Sequence, residues 1–431
     1  MREMKDSGIE WVGAIPQDWQ LSKIGSLYTQ RNEKVSDKNY QPLSVTMQGI
    51  LPQLATAAKT DDGDNRKLVR VGDFAINSRS DRRGSCGISP LDGSVSLINI
   101  ILTPRTAMHP GYYNWLFHTT LFADEFYKWG HGIVADLWTT HWQEMKSITV
   151  PVPEYAEQER IAAFLDAECA EIDTVLEKIR ASIEEYKKLK QAVITQVVTK
   201  GIRGDRPMKN SGIEWIGDIP AEWKVASIGR FCFVTKLAGF EFTNDMMSNI
   251  QDSGDIPIVR AQNIKMGKFI NNISEFIPYR ISQKLERCAL NRKCLIITFI
   301  GAGIGEVAIF NEPKRYHLAP NVAKIVINVG MEHFVTEEYL LYFLMSFAGQ
   351  EEINKIKKAT AQPSLSMGTI RSIKMVLPDS IEEQSEIVSY LDMRCASIDA
   401  LIAKKQQYLI EIENYKKSLI YEYVTGKKEV V

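Results

Sequence analysis

The chain has 431 residues, of which 45% are hydrophobic and 24% are charged, and its net charge is −1. This length and composition predict a globular protein of two or more domains, each with its own hydrophobic core. The sequence contains no run of about 18 apolar residues, and its opening residues, MREMKDSGIEW, have no apolar signal region. We therefore expect no membrane-spanning helix and a cytoplasmic location.

The first predicted element is an opening motif, SGIEWVGAIPQDW at residues 7–19. The same motif returns as SGIEWIGDIPAEW at residues 211–223. We interpret the paired tryptophans of each copy as packing anchors. The repetition indicates that both halves of the chain are built on the same plan.

A basic segment follows, RKLVRVGDFAINSRSDRRG at residues 66–84. Lysine and arginine contact phosphates, and arginine can bind guanine through two hydrogen bonds. The alternative interpretation is that these are ordinary solvated loop residues. The candidate DNA-binding residues of the first half are Lys67, Arg70, Arg79, Arg82 and Arg83.

Three tryptophans, Trp129, Trp138 and Trp142, precede the next element. We expect them to lie in a core at the root of the following helix, with stacking on bases as the alternative.

A long helix is predicted over residues 157–200, which contain neither proline nor glycine. Its apolar residues alternate in steps of four and three, the pattern of a coiled-coil seam. A second helix near the end of the chain repeats this pattern 226 positions later, and the break in the seam at Lys190 falls again at Lys416. The shared register favours mutual pairing over two unrelated surface helices. The predicted seam residues are Leu165, Ile172, Leu176, Ile179, Ile183, Leu391, Ile398, Ile402, Leu409 and Ile412.

The second half contains two further candidate segments, VRAQNIK at 259–265 and RISQKLERCALNRK at 280–293. Their side chains suit phosphates and base edges, and solvated loops are again the alternative. The motif GAGIGE at 301–306 lacks the spacing of a dinucleotide-binding loop and follows an apolar strand, so it predicts a tight β-turn. The candidate DNA-binding residues of this half are Arg260, Gln262, Asn263, Lys265, Arg287, Arg292 and Lys293.

Chain order sets the orientation of the two helices. The second domain begins soon after the first helix ends, so the second helix must run back antiparallel to pair with the first. The predicted fold is α+β, with two globular α/β domains separated by two long antiparallel coiled-coil helices in an internal pseudo-twofold repeat. The predicted divisions are 1–153 and 204–379 for the globular domains, and 154–203 and 380–431 for the helices.

A pseudo-twofold protein with two heads suits duplex DNA, whose backbone has local twofold axes. The central parts of the two heads, residues 30–140 and 235–365, have no convincing sequence match. Two different heads are expected to read two different half-sites.

These features together resemble the specificity (S) subunits of type I restriction–modification systems, along nearly the whole chain. The resemblance lies in both opening motifs and in the following segments: RRGSCGISPLDGSVS (82–96), ADLWTTHWQEMKSITVPVPEYAEQERIAAFLD (135–166), GAGIGEVAIF (301–310), HLAPNVAKI (317–325) and QPSLSMGTIRSIKMVLPDSIEEQSEIVSYLD (362–392). The segment LPDSIEEQ lacks the double proline that is frequent in the family before the helix.

The resemblance implies that the two globular domains are target-recognition domains for double-stranded DNA. It also implies two methyltransferase (M) subunits on the helices and restriction (R) subunits that join the complex. This chain itself would be non-catalytic, and its partners would use S-adenosylmethionine, ATP and magnesium.

Two other classes of function stay open at this point. An independent enzyme would need a catalytic motif, and the sequence has no NPPY- or DPPF-like methyltransferase motif, no phosphate-binding GxxxxGK[ST] motif and no HExxH motif. The six cysteines form no Cys-x-x-Cys pair, which predicts buried free thiols and no metal site. A coiled-coil scaffold that binds only proteins is the second alternative.

Overall fold

The computed structural model describes residues 2–53, 63–132, 138–357 and 364–430. Two compact units make up the chain. The first combines Met1–Arg180 with Gln406–Val431, and the second is Ala181–Lys405. Each unit therefore contains an α+β domain and a part of both long helices. Residues 135–137 and 362–363 of the resembling segments lie outside the described residues.

The first unit contains thirteen of the described strands and five helices, the last of which is the first long helix. Its strands are β1 (Met4–Asp6), β2 (Ala14–Pro16), β3 (Gln20–Lys23), β4 (Tyr28–Arg31), β5 (Lys34–Val35), β6 (Leu43–Thr46), β7 (Gly49–Pro52), β8 (Arg66–Val69), β9 (Phe74–Asn77), β10 (Cys86–Ile88), β11 (Gly93–Val95), β12 (Asn99–Pro104) and β13 (Thr149–Val152). Its helices are α1 (Ile24–Leu27), α2 (Pro110–Phe117), α3 (Thr120–Lys128), α4 (Trp142–Met145) and α5 (Tyr155–Lys200), which continues into the second unit.

The second unit repeats this plan with its own strands and helices. Its strands are β14 (Met208–Asn210), β15 (Asp218–Pro220), β16 (Lys224–Ser227), β17 (Cys232–Lys236), β18 (Ile256–Val259), β19 (Ile264–Lys265), β20 (Lys268–Phe269), β21 (Phe276–Ile277), β22 (Ala289–Leu290), β23 (Cys294–Thr298), β24 (Val307–Phe310), β25 (Tyr316–Leu318), β26 (Val322–Ile327) and β27 (Lys374–Leu377). Its helices are α6 (Gly239–Glu241), α7 (Tyr279–Lys284), α8 (Glu337–Met345), α9 (Phe347–Ile356), α10 (Met367–Ser372) and α11 (Ile381–Val424), whose last residues belong to the first unit.

One four-stranded antiparallel sheet is common to both units. Its strand order is β10-β9-β12-β4 in the first unit and β24-β23-β26-β17 in the second. The chain visits these strands in the same order in both units, although the sequences that form them have no convincing match. The two heads are therefore variants of one fold, which the sequences of their central parts did not indicate.

This sheet is buried on both faces, which explains its apolar sequence. In β23, Leu295 and Ile297 enter the core that also contains α8 and the long helices, whereas Cys294 and Ile296 enter a second core under β18 and β25. Successive side chains of a strand point to opposite faces, so a strand between two cores has no exposed face. Strand β9 divides its residues between two cores in the same way.

The long helices bury the predicted seam. Each seam residue named above is buried or half-buried, as are Lys190 and Lys416, while most of the intervening helix residues are exposed. Leu176 is 3% exposed, for example, whereas the adjacent Val175 is 44% exposed. The burial follows the alternating spacing of four and three that the sequence predicted.

The helices are antiparallel within each unit. In the first unit the Phe164 and Tyr423 rings lie 4.4 Å apart, and Lys416 Nζ lies 2.6 Å from Asp173 Oδ1. In the second unit Lys190 Nζ lies 2.6 Å from Asp399 Oδ2. The two lysines that break the seam therefore each hold an aspartate of the opposite helix. Both aspartates are also related by the offset of 226 positions.

The repeated opening motif holds the start of a long helix in each unit. Trp19 Nε1 donates a hydrogen bond to Glu157 of α5 at 2.9 Å, and Trp223 Nε1 donates one to Glu383 of α11 at 3.0 Å. An arginine completes each contact by pairing with the same glutamate, Arg2 in the first unit and Arg206 in the second. The motif occurs twice because the same contacts hold the start of each of the two long helices.

We expect Trp223→Ala to destabilise the second unit by about 3–5 kcal/mol, because Trp223 is fully buried and fills the space beside the helix start. Trp19→Ala should have the same effect on the first unit. Calorimetric unfolding of the full chain measures both changes. Trp129→Ala is the matched control, since Trp129 is 46% exposed and its loss should cost well under 1 kcal/mol. Equal effects of Trp223→Ala and Trp129→Ala would contradict the anchoring role.

The structure confirms the α+β prediction, with two long helices that pair antiparallel in each unit. The helix bounds lie close to the predicted divisions 154–203 and 380–431, while the domain divisions themselves stay a prediction. All six cysteines are buried free thiols. Within the described residues, no helix is both long and apolar enough to cross a membrane.

Candidate nucleic-acid interface

A loop of eight residues, 78–85, connects β9 to β10 in the first unit. Backbone hydrogen bonds from Asn77 N to Ser85 O and from Ser78 N to Ile98 O hold its ends, at 2.9 and 3.3 Å. Thr140 N donates to Ser78 O at 2.9 Å and joins the loop to the segment before α4. This loop contains Arg79, Arg82 and Arg83 of the predicted basic cluster.

A loop of the same length, 299–306, connects β23 to β24 in the second unit. Thr298 N donates to Glu306 O at 2.9 Å and Phe299 N to Asn321 O at 3.0 Å. Leu365 N donates to Phe299 O at 2.9 Å, which repeats the contact of Thr140 with Ser78.

The last turn of these two loops is also the same. Ser85 N donates to Arg82 O at 3.0 Å, and Glu306 N donates to Gly303 O at 2.9 Å. A glycine precedes the last residue of each loop, Gly84 with φ +75° and Gly305 with φ +91°. Residues other than glycine rarely adopt this left-handed backbone conformation, which explains why glycine occupies both positions. We name the two segments the first and second reading loops. The predicted β-turn in GAGIGE is confirmed by this geometry.

The equivalent positions of the two reading loops carry opposite chemistry. Arg79 and Arg82 correspond to Ile300 and Gly303, while Ser85 corresponds to Glu306. The first loop therefore presents hydrogen-bond donors with positive charge. The second presents bare backbone and a carboxylate.

A cleft of about 340 Å³ lies beside the first reading loop. Arg79 lines it together with Lys67 and Trp142, and the polar side chains of Gln30 and Gln143 also face it. Lys67 Nζ donates to Asn99 O at 2.6 Å, and burial lowers the pKa of this amine. Two of the predicted DNA-binding residues thus meet in one site.

A cleft of about 370 Å³ lies beside the second reading loop. Gln262 and Lys265, both predicted from the sequence, line it together with Glu306 and Asn321. The two clefts share their position in the fold, since Arg79 and Ile300 correspond, as do Ile98 and Asn321.

The arginines of the first half differ in how strongly the protein holds them. Arg83 pairs with Asp124 and lies over the Tyr127 ring, and Arg79 Nε lies 3.0 Å from Asp81. Arg82 has 68% of its side chain exposed, and its contact with Asp81 is 3.9 Å long. Arg70 lies at the opposite end of β9 from the loop and pairs with Asp92 at 3.3 Å. Arg82 is the arginine that is most available to a phosphate.

Several candidates of the second half are engaged within the protein. Asn263 is buried and bonds to the Ile270 carbonyl, Asn272 and the Arg260 N–H, so it shapes the turn that carries Gln262. Arg260 pairs with Glu275. Arg287 binds the Lys236 carbonyl at 2.7 Å and pairs with Glu241, which raises the pKa of the guanidinium.

The remaining two candidates lie at the far end of β23. Arg292 and Lys293 precede this strand, whereas the second reading loop follows it, about 20 Å away at 3.3 Å per residue. Lys293 also pairs with Glu337 and Glu338. The structure therefore does not bring them to the cleft with Gln262 and Lys265.

The expectation that Trp129, Trp138 and Trp142 form a core is wrong for the first two, which are 46% and 39% exposed. Trp129 lies at the surface just after α3 ends, and its Nε1 donates a hydrogen bond to the half-buried Glu125 carboxylate at 3.0 Å. Trp142 is half-buried, packs against the core of the first unit as expected and also lines the first cleft, and its stacking on a base stays a prediction.

Sequence reasoning missed Glu306 and Asn321. The signal for Glu306 was present, since it ends the GAGIGE motif. Its position beside Gln262, 44 residues earlier in the chain, depends on the tertiary fold. No group of three or more metal-binding side chains was found within the described part of the chain.

Two units of one fold, each with a cleft of different polar chemistry and each joined to a pair of long helices, define a two-part recognition protein. A family model described as type I restriction modification DNA specificity domain matches residues 220–414. The MjaVIII specificity subunit of Methanocaldococcus jannaschii is 24% identical over 434 residues, which covers 96% of this chain and 94% of that protein. The EcoKI specificity subunit of Escherichia coli is 21% identical and covers 96% of this chain and 90% of that protein.

Solved structures agree on the fold. A chain from a structural study of complex assembly and conformational transition in the type I restriction–modification system has a TM-score of 0.72 at 14% identity, covering 96% of this chain and 99% of that one. The HsdS subunit from Thermoanaerobacter tengcongensis has a TM-score of 0.50 at 16% identity, covering 96% and 98%. The chain is therefore similar along nearly its whole length to specificity subunits of type I restriction–modification systems, and its residues 220–414 match the DNA specificity domain of these systems.

Proposed function

We propose that each unit reads one half of an asymmetric, two-part target in double-stranded DNA, and that the reading loops and their clefts contact the bases. The observation that carries this proposal is the pair of reading loops, which occupy the same place in the fold but present opposite chemistry. A protein with two identical readers would suit a palindrome. Two different readers suit two different half-sites.

We further propose that two methyltransferase subunits bind the long helices. The support is a set of exposed apolar side chains that repeats with the offset of 226 positions. Val175 corresponds to Leu401 and Leu189 to Tyr415, and each is 41–54% exposed. Val175 and Tyr415 belong to the first unit, Leu401 and Leu189 to the second, so each unit has one copy of the set. Contiguous patches of exposed apolar side chains mark partner surfaces, and the repeat of this set in both units favours such a patch over side chains scattered singly.

In this proposal the chain is not an enzyme. The methyltransferase partners supply S-adenosylmethionine-dependent adenine methylation, and restriction subunits join the complex with ATP and magnesium. The chain contributes the DNA sequence preference and the positions of its partners. A coiled-coil scaffold without DNA specificity is the alternative function.

Two measurements test the proposed function. Methylated adenines are mapped by single-molecule sequencing of a host that expresses the chain with its methyltransferase subunit. We expect one split, asymmetric motif with one adenine in each half, on opposite strands. A gel shift with pooled random duplex at low salt tests the scaffold alternative, which predicts no DNA-dependent complex even when methyltransferase subunits are supplied.

Replacing Arg79, Arg82 and Arg83 with alanine is expected to weaken DNA binding and to lower its dependence on salt. Each lost phosphate contact should reduce the slope of log K against log[salt] by about 0.9. Arg82→Ala alone should account for most of the change, because Arg82 has the weakest internal contact. Titrations at several salt concentrations measure the slope.

The matched control for Arg82→Ala is Lys38→Ala, which also removes one exposed positive charge from the first unit. Lys38 lies outside the reading loop, and its loss should leave the slope unchanged. Unchanged affinity of the triple variant at physiological salt would show that these arginines are ordinary solvated loop residues.

A further inference from the structure

The second cleft is lined by two exposed polar side chains, Gln262 and Asn321, and by the half-buried carboxylate of Glu306. Gln262 and Asn321 have no side-chain hydrogen-bond partner within the part of the chain that the structure describes. Glu306 pairs with Lys265 at 3.6 Å, a distance that is longer than a hydrogen bond. Gln262 and Asn321 are therefore free to bind a ligand that enters the cleft, and a ligand that donates to Glu306 displaces no side-chain hydrogen bond.

The carboxylate of Glu306 has a defined place above the loop. A Cβ atom on Gly303 would lie 2.6 Å from Glu306 Oε2, so the carboxylate occupies the space that any side chain at position 303 would need. Gly301, with φ +99°, has open space around its Cα. Because glycine has no side chain, a flat ligand can pass over the backbone at these positions and approach the Glu306 carboxylate and Gln262.

A carboxylate and a DNA phosphate repel each other because both are negatively charged. A favourable contact of the carboxylate with DNA must therefore be made with a hydrogen-bond donor. In the major groove, the donors on base edges are the exocyclic amino groups, N6 of adenine and N4 of cytosine. Glutamate accepts from cytosine N4, and glutamine binds adenine through two hydrogen bonds. Guanine and thymine present only acceptors there, and a carboxylate repels them.

We infer that Glu306, together with Gln262, is a specificity-determining pair that reads one base with an exocyclic amino group in the half-site of the second unit. This inference rests on the proposed function and assigns the chemistry of its second reader. The first reading loop has the opposite preference, since Arg79 and Arg82 donate hydrogen bonds and suit the acceptors of guanine. The two readers thus differ in the sign of the hydrogen bond that they make.

The test uses the full chain in complex with its methyltransferase subunit. A plasmid library carries the first half-site unchanged and the second half-site randomised, and methylated molecules are selected and sequenced. For Glu306→Gln we expect the preference at one position of the second half-site to fall by about 5- to 150-fold, because the glutamine amide can also donate to the acceptors of guanine and thymine, and a good base contact is worth about that factor in discrimination. The other positions should keep their preferences.

A second variant separates the position of the carboxylate from its presence. Gly303→Ala displaces the Glu306 side chain without removing its charge, and it should weaken the same base preference as Glu306→Gln. Glu332→Gln is the matched control, because it makes the same chemical change at an exposed site of the same unit and should leave every preference unchanged.

Three outcomes have different meanings. A change confined to one position of the second half-site supports the inference. Unchanged preferences in Glu306→Gln, or an equal loss at all positions of the second half-site, would overturn it and leave the proposed function in place. A wild-type complex that selects no sequence at all would overturn the proposed function as well.

Discussion

One base pair added to the spacer between the two half-sites is expected to abolish methylation. A base pair moves one half-site by about 3.4 Å along the duplex and rotates it by about 35°, given 10–10.5 base pairs per turn. A reader whose position depends on hydrogen bonds to base edges does not tolerate such a shift. Methylation of a series of duplexes with spacers longer or shorter by one base pair measures the effect.

The physical basis of this prediction is the continuity of the two long helices. Helices α5 and α11 have 46 and 44 residues and contain neither proline nor glycine. Sharp kinks in helices occur at such residues or at bulges, so the two paired helices are expected to act as a stiff connection. A change of spacer sequence at constant length is the control and should have no effect. Equal methylation at three consecutive spacer lengths would refute a stiff connection.

The fragment of residues 1–206 should form a homodimer that methylates a palindromic target built from the first half-site. This fragment keeps one complete head and one complete seam, Leu165 to Val197, but it lacks α11. Its buried seam would be exposed to water, which is unfavourable. A second copy of α5 can cover the seam, because α5 and α11 share their register.

The contacts within the first unit explain why a second α5 can replace the end of α11. Lys416 of α11 holds Asp173, and the corresponding residue of α5 is Lys190. Tyr112 of the head donates a hydrogen bond to the Val424 carbonyl at 2.8 Å, and its counterpart Tyr339 donates one to the Val198 carbonyl at 3.1 Å. A second copy would therefore offer Lys190 to Asp173 and the Val198 carbonyl to Tyr112.

Mass measurement of the fragment, with and without the methyltransferase subunit, tests the dimer, and methylome mapping tests the palindrome. Leu176→Asp should leave the fragment monomeric, because it places a charge in the buried seam. Val175→Asp is the matched control for the fragment measured without the methyltransferase subunit and should leave the dimer intact, since the adjacent side chain is exposed. A monomeric wild-type fragment, or a modified site that is not palindromic, would refute the internal-dimer interpretation.

The long helices and their pairing were predictable from the sequence, because the information is local. A seam needs only apolar residues at spacings of four and three, and the register of one helix fixes which residues face the other. The repeat of Lys190 at Lys416 already indicated a related role. The aspartates that pair with these lysines, Asp173 and Asp399, were visible as a repeat too, but the sequence did not identify them as the lysine partners.

The candidate site was predicted less well, because its residues meet only after folding. Lys67, Arg79, Arg82, Gln262 and Lys265 lie in a reading loop or its cleft, and their contact with DNA stays a prediction. Other candidates with the same residue types are held by protein groups. Arg83, Arg287 and Lys293 pair with acidic residues that lie 41 to 46 positions away in the chain. No local sequence pattern reveals such partners.

The likeness of the two heads lies in their backbones. Strands β9 and β23 have different sequences, yet the same hydrogen bonds hold the loops that follow them, and these bonds use N–H and C=O groups that every such residue has. The side-chain patterns in the central parts of the heads therefore did not show that their strands and loops are equivalent. Apolar spacing along one helix specified the repeat and the antiparallel seam, whereas folding brought Glu306 to Gln262 and placed it where the other head has Ser85. The helix repeat and its seam depend on neighbours within a few residues. The position of Glu306 depends on strand pairing over long stretches of chain.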